Sequence, residues 1–448
     1  MKRWPILAIC LLSLLMSGCQ PNVEPEGTKQ LRLAIISKDT YQFMFHSYFS
    51  GHFPDWDITV LPMDELNLYE MKAPEAIKTF SDFLQREKPD LVILNGIQYP
   101  VLANHELLRD LGEWASRKDG MDLNAFVPGV IDLLKGNEEG KLFGLSPSYR
   151  TSVFYYNKTM FRSYGIEEPH DRMTWSEVLK LSDRFMQDAS LEKGSYGFYE
   201  SNIKTPFDMV QTISDTEGMN FVNTRTAKMT MTSDEWKKIW SLVADSYRMG
   251  SVGTMNRKLK EIDGTTYVTE NDQKAMDLFY QGKTAMTVGQ DGLLRKLNSK
   301  PPSFEWGIYS GPVSIRDPER VGWFGIDYIF AIPTVSAQPE LAWKAIQYFH
   351  SEEMGKIYAS TDEGLFSLKN YPKWRNDPNY EPFYNQRGWL DTNNFMNSAI
   401  PKEFYTPFYK LANEQMNATI AGKLSTEQAL AALQKEGQAL LDELTAKK

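Results

Sequence analysis

The residue types that carry out covalent chemistry are scarce in this chain. Its 448 residues hold five histidines, His46, His52, His105, His170 and His350, and none falls in an HExxH pattern or at metal-ligand spacing. The two cysteines, Cys10 and Cys19, both lie near the N-terminus, so the body offers no thiolate as ligand or nucleophile. Neither a glycine-rich phosphate loop nor a G-x-S-x-G elbow occurs. The acid pairs Glu138-Glu139 and Glu352-Glu353 fall on predicted turns or helices, where adjacent carboxylates are ordinarily solvated surface. Enzymatic activity, a metal and a cofactor are therefore not expected. Non-covalent recognition is better provided for. Aromatic residues make up 13% of the chain, most of them destined for a core but enough for a stacking cleft as well. Ligands with C–H-rich rings, such as sugars, need flat apolar faces and a few polar groups that fix orientation.

The formal charge of −9 argues against a nucleic-acid partner, whose phosphates demand a basic face. A chain this long exceeds one compact core and predicts two domains or lobes. Its first residues read as a targeting segment, with Lys2 and Arg3 ahead of an apolar run at Ile6–Met16 that is too short for a normal spanning helix. Leu15-Met16-Ser17-Gly18-Cys19 resembles a bacterial lipobox, with Met where Leu is more usual. That resemblance implies a lipoprotein signal peptide over residues 1–18 and lipid attachment at Cys19. Residues 19–30, polar and containing two prolines and a glycine, then read as a flexible tether.

The elements that must position a site are legible from period and punctuation. Leu31–Ile36, Ile58–Leu61 and Pro89–Gly96 predict buried strands, with helices over Tyr41–His52, Pro74–Gln85 and Pro100–Leu108. Strand and helix alternating at this spacing predict an open parallel α/β sheet, whose ligands sit beyond the carboxyl ends of the strands. Ser37–Thr40 and Asn95–Tyr99 are site candidates on that ground alone. Further on, Leu142–Leu145 and Thr151–Tyr156 read as strands, and Asn157 opens a helix that Gly165 ends. Thr174-Trp175-Ser176-Glu177 and Ser425-Thr426-Glu427-Gln428 have the spacing of capping boxes. Helices are predicted over Thr205–Thr216, Ser233–Tyr247 and Glu340–His350, with a long polar insertion at Gly250–Asp272. Gly282–Gly289, Trp306–Tyr309 and Trp323–Ile332 predict strands, and Gly289–Gly292 a turn feeding a helix whose free amides could face a ligand. Trp175 and Trp240 are expected in the core.

An ordered series of short motifs gives these elements a family likeness. Gly140-Lys141-Leu142-Phe143-Gly144-Leu145 is followed by Tyr156-Asn157-Lys158 with Phe161, by Gly165-Ile166, and by Thr174-Trp175 with Glu177. Gly282-Lys283-Thr284-Ala285-Met286, Ala331-Ile332-Pro333 and the Ala421–Leu430 ending complete it. The series resembles extracellular solute-binding proteins that serve ABC importers, in the family of the maltose-binding protein. Departures are small, with Ser146 before the proline and His170–Met173 between Pro169 and Thr174.

The resemblance implies a two-lobed, type II periplasmic-binding-protein-like α/β fold, with mainly parallel sheets flanked by helices and a ligand cleft between lobes. Residues 31–149 plus 327–370 would form lobe one, and residues 150–326 plus 371–448 lobe two. Carried over by motif, the ligand contacts would be Asp39, Asn95 and Tyr99 from lobe one, and Tyr149 and Arg150 from the first crossing. Gln290 and Asp291 would follow from lobe two, and Trp323, Asp327 and Tyr328 from the last strand. The implied partners are a small-molecule solute, expected to be a carbohydrate such as an oligosaccharide or modified sugar, and the transmembrane subunits of an ABC permease. A monomer tethered through Cys19 to the extracellular face of the cell membrane completes the expectation. A tethered signalling receptor and a surface glycan-degrading enzyme are the alternatives from other classes.

Overall fold

A computed structural model describes residues 28–68, 71–103, 105–135, 140–254, 260–262, 265–361, 364–388 and 400–446. The signal segment, Cys19 and nearly all of the tether lie outside the described residues. The strands of the three main sheets are β1 (Lys29–Ile35), β2 (Trp56–Pro62), β3 (Leu91–Leu94), β4 (Ser148–Thr151), β5 (Val153–Asn157), β6 (Tyr196–Phe198), β7 (Thr284–Gly289), β8 (Trp306–Tyr309), β9 (Phe324–Ile326), β10 (Ile329–Ala331) and β11 (Leu365–Phe366).

Lobe one is built on the order β10-β3-β1-β2. β1 runs parallel to both β2 and β3, and β10 closes the far side antiparallel to β3. Every residue of β3 is buried, as a central strand covered on both faces requires. The predicted helix over Tyr41–His52 is two helices, Lys38–Met44 and His46–His52, which meet at Phe45. That break buries the Phe45 ring against Tyr328, Phe330 and Phe349. The helix predicted over Pro100–Leu108 shortens to a single turn, Tyr99–Leu102.

Lobe two is built on the order β8-β5-β7-β6. Here β5 is antiparallel to both neighbours and only β7 and β6 run parallel, so the two sheets are mixed in different proportions. Strand β5 separates two cores by its pleat, since alternate residues point to opposite faces. Phe154 and Tyr156 enter the lobe-two core with Trp175, Trp240 and Phe408, while Val153 and Tyr155 join the core that contains β1 and β3. That first core also takes in Tyr371, Tyr380, Phe383 and Tyr384, so no change of core marks the chain at Tyr371. Both capping boxes form: Glu177 reaches the Thr174 amide at 2.8 Å, and Gln428 the Ser425 amide at 2.9 Å. Trp175 and Trp240 are buried, each with its indole N–H donating to a threonine hydroxyl.

Between the lobes lies a third sheet of three short antiparallel strands, β9-β4-β11. Two stretches that read as continuous strands each change sheet part-way. Residue 152 separates β4 from β5, and residues 327–328 separate β9, which pairs with β4, from β10, which pairs with β3. The chain therefore passes between lobes on strands only two to four residues long. Among the described residues no helix is long and apolar enough to cross a membrane.

One buried group gives the fold a pH dependence. His350 ends helix Pro339–Phe349 inside the first core, its Nδ1 2.6 Å from the Ile346 carbonyl oxygen. Burial pushes its pKa down to about 4, against the pull of the backbone at Ile346 and Ser146. An unfolded histidine titrates near 6.5, so the unfolded chain takes the proton first as pH falls. The stability at stake is full above about pH 6.5 and is lost as pH falls towards 4. It amounts to roughly 2 kcal/mol between pH 7 and pH 5. Urea melts at both pH values should show a smaller drop for His350→Gln than for the parent. Equal drops would mean that other groups carry the acid sensitivity.

Candidate ligand cleft

The parallel pair β6 and β7 ends on one edge of the lobe-two sheet, with Thr284 beside Tyr196 and Met286 beside Phe198. Their carboxyl ends deliver Glu200 and Gly289-Gln290 to a cleft of about 410 Å³. The opposite wall comes from Val321–Trp323 just before β9, and from Thr212, Asp215 and Thr216 at the end of helix Pro206–Thr216. Ser152, between β4 and β5, borders it too, so the cleft lies where the chain changes lobes. A second hollow of about 410 Å³ adjoins it, sharing Glu200, Asn202 and Val288–Gln290 as a common ridge.

Trp323 supplies the flat apolar face. The residue is 43% exposed, which separates it from the tryptophans of the two cores. The Thr151 hydroxyl donates to its carbonyl at 3.0 Å and ties it to the crossing strand. Behind it, Gly322 lies so close to helix Pro206–Thr216 that a Cβ would fall 2.4 Å from Thr216 Oγ1. That same oxygen accepts the Trp175 indole N–H at 2.9 Å and donates to the Thr212 carbonyl at 2.8 Å. The aromatic wall is thus set by a glycine, a threonine and a buried indole in series.

Glu200 is the main polar group of the ridge. Its Oε1 accepts from both the amide and the side chain of Asn202 at 2.9 Å. Burial pushes its carboxyl above the ordinary range, while hydrogen bonds from Asn202, Ile203 and Ser201 pull the other way. Gln290 is the exposed N-cap of helix Asp291–Ser299, held by the Tyr155 hydroxyl donating to its carbonyl at 3.1 Å.

Of the residues expected at the ligand, the structure brings Trp323 and Gln290 together. Asp291 is adjacent but nearly buried, its carboxylate ion-paired with Arg295. Tyr99 and Tyr149 are corrections. Each is buried in the first core with its hydroxyl spent on a backbone carbonyl, Leu134 for Tyr99 and Phe383 for Tyr149, and Tyr149 stacks on Phe324. Arg150 and Asp327 meet each other on the crossing strands at 2.6 Å. Tyr328 is half-buried against Phe45. Asp39 and Asn95 stand at the carboxyl ends of β1 and β3 and do not line either hollow. Asp39 is exposed and leaves the helix cap to Ser37, whereas Asn95 Oδ1 accepts from the Ile97 and Gln98 amides. Sequence reasoning missed Glu200, Asn202 and Asp215. The Tyr196-Gly197-Phe198 strand just before Glu200 was the available signal, through the same strand-end rule that picked out Asn95.

A two-lobed α/β fold with a polar, tryptophan-walled cleft beside its crossing strands defines a solute-binding protein. The chain belongs to the bacterial extracellular solute-binding protein family, whose model matches residues 76–356. That family is one of binding proteins, not enzymes. Among solved structures, the sugar-binding protein MalE of Xanthomonas citri is 15% identical, with a TM-score of 0.63 over 94% of this chain and 99% of that one. The cyclic α-maltosyl-1,6-maltose binding protein of Arthrobacter globiformis is 15% identical, with a TM-score of 0.56 over 93% of this chain and 100% of that one. At such identities the likeness establishes the fold. A chain of Brucella abortus described as a binding protein is 23% identical over 231 residues, which are 50% of this chain and 49% of that one. The chain thus spans about half the length of the curated relatives it matches.

Proposed function

We propose that this protein is the binding subunit of an ABC importer. It captures a carbohydrate, an oligosaccharide or modified sugar, in the cleft beside the crossing strands and delivers it to a membrane permease. The observation that carries this reading is the solvent-open Trp323 face set opposite Gln290, Glu200 and Asn202 at the ends of two parallel strands. An indole of this kind stacks on the C–H face of a pyranose, while amides and carboxylates take its hydroxyls. Solved relatives named for sugar and cyclic-maltosaccharide binding support the same class. In this reading Asp39 and Asn95 join from lobe one when the lobes close, and the short crossing strands serve as the hinge. A thermal-shift screen of residues 20–448 against mono- and oligosaccharides tests it. A true ligand at 100 times its dissociation constant adds roughly 2.7 kcal/mol, and no shift with any saccharide would reject the class.

The same proposal places the chain as a monomer on the extracellular face of the cell membrane, either the surface of a Gram-positive cell or the periplasmic side of a Gram-negative one. Its support is the lipobox-like Leu15–Cys19 and the lack of any cysteine after it. Diacylglycerol on Cys19, joined by a further acyl chain, would anchor it, since one lipid chain alone binds only marginally. Cys19→Ala should release the protein or leave its signal uncleaved, with the fold intact in both cases. A variant that is processed normally and still sediments with membranes would overturn the anchor.

A further inference from the structure

We propose that the cleft sorts ligands by charge: it admits neutral and ammonium-bearing saccharides and rejects those carrying a carboxylate or phosphate. The proposal takes the saccharide scaffold from the functional reading above, but the charge rule stands on the cleft itself. Glu200 and Asp215 line the Trp323 hollow, and no lysine, arginine or histidine does among the described residues. In the adjoining hollow the one cation among the described lining residues is Lys296, and it is ion-paired with Asp277 and lies over the Tyr280 ring. Arg150, on the crossing strand, faces Asp327.

The backbone dipoles do not reverse this balance. Helix Pro206–Thr216 ends at the cleft and contributes the negative pole of its dipole beside Asp215. Helix Asp291–Ser299 begins there and contributes a positive pole of roughly half a charge, which stands against the two full carboxylates of Glu200 and Asp215, while Asp291 in its first turn is paired with Arg295. An anionic ligand entering this space gives up its hydration and finds, among the described lining residues, two carboxylates and no free guanidinium or ammonium to replace it. A neutral polyol instead donates its hydroxyl protons to Glu200, and an ammonium group does so with charge assistance. One like-charge contact at about 7 Å, under an effective dielectric near 20, predicts roughly 50-fold weaker binding.

Two arms test the rule. Calorimetric titration compares neutral malto- and cello-oligosaccharides, chitosan oligomers and oligogalacturonides of equal length. Binders are expected only in the first two panels, and Glu200→Gln should shrink the penalty on any anionic sugar by about that same factor. An oligogalacturonide that binds as tightly as the best neutral sugar would overturn the charge rule while leaving the carbohydrate reading standing. The second arm needs no ligand. The fluorescence difference between the parent and Trp323→Phe isolates the cleft indole, whose quenching by caesium and by iodide is compared at constant ionic strength. Relative to free N-acetyltryptophanamide, caesium should be favoured several-fold, and Glu200→Gln should reduce that preference. A ratio at or below that of the free indole, or one unmoved by Glu200→Gln, would sink the rule even if every saccharide panel stays silent.

Discussion

Trp323→Ala should weaken binding of the carbohydrate ligand by about 2–4 kcal/mol, the range of strong interface hot spots, with little change in melting temperature. The large binding term follows from the loss of the exposed aromatic face that Trp323 presents to the cleft. The small stability term follows from a residue that is 43% exposed and tied to its neighbours mainly through its backbone carbonyl. A core tryptophan such as Trp240 behaves in the opposite way, because its removal leaves a cavity costing about 3–5 kcal/mol of stability. Titration and a melt on the same variant separate the two. Unaltered affinity with a collapsed melting point would remove Trp323 from the site.

Gly322→Ala should damage both binding and stability without removing any side-chain atom from the cleft wall. The added methyl would lie 2.4 Å from Thr216 Oγ1 and 3.2 Å from the Thr216 amide nitrogen. The hydroxyl has little freedom to retreat, since it is held by Trp175 on one side and the Thr212 carbonyl on the other. The loop carrying Trp323 must therefore move off the helix, at a cost of about 1–3 kcal/mol typical of overpacking. The displaced indole should lose at least tenfold in affinity, since a shift of about 1 Å spoils stacking geometry. Gly325→Ala, three residues on, meets nothing within 4 Å and serves as the control, expected to match the parent within about 0.5 kcal/mol. Equal behaviour of the two variants would show that the Gly322 contact does not position the wall.

The parts of the fold legible in the sequence were those with local causes. The buried run Leu91–Leu94, the Thr174 and Ser425 caps and the amphipathic Pro339–Phe349 helix each follow from residues within one or two turns of each other. The hinge was not legible in that way. Thr151–Tyr156 and Trp323–Ile332 each read as one strand, and although polar Ser152 and Asp327 interrupt their apolar runs, a single polar residue does not by itself record that the pairing partner changes there. Strand direction in lobe two is likewise a tertiary property, fixed by how the chain crosses from one lobe to the other. Tyr99 and Tyr149 show the limit for a site. A tyrosine satisfies a core position and a sugar platform equally well, and only the carbonyl that meets its hydroxyl tells them apart. Glu200 was within reach of sequence reasoning, because the rule that ligands gather at strand carboxyl ends applied to Tyr196–Phe198 as much as to Leu91–Leu94.

Small-angle scattering on residues 20–448, with and without a saturating saccharide found in the thermal-shift screen, tests capture between the lobes most directly. Ligand gripped by both lobes favours the closed arrangement by its differential affinity, and the crossing strands β4, β9 and β11 are short enough to bend without breaking either main sheet. The account predicts a smaller radius of gyration with ligand, abolished in Trp323→Ala at the same ligand concentration. An unchanged radius with the cleft saturated would contradict it.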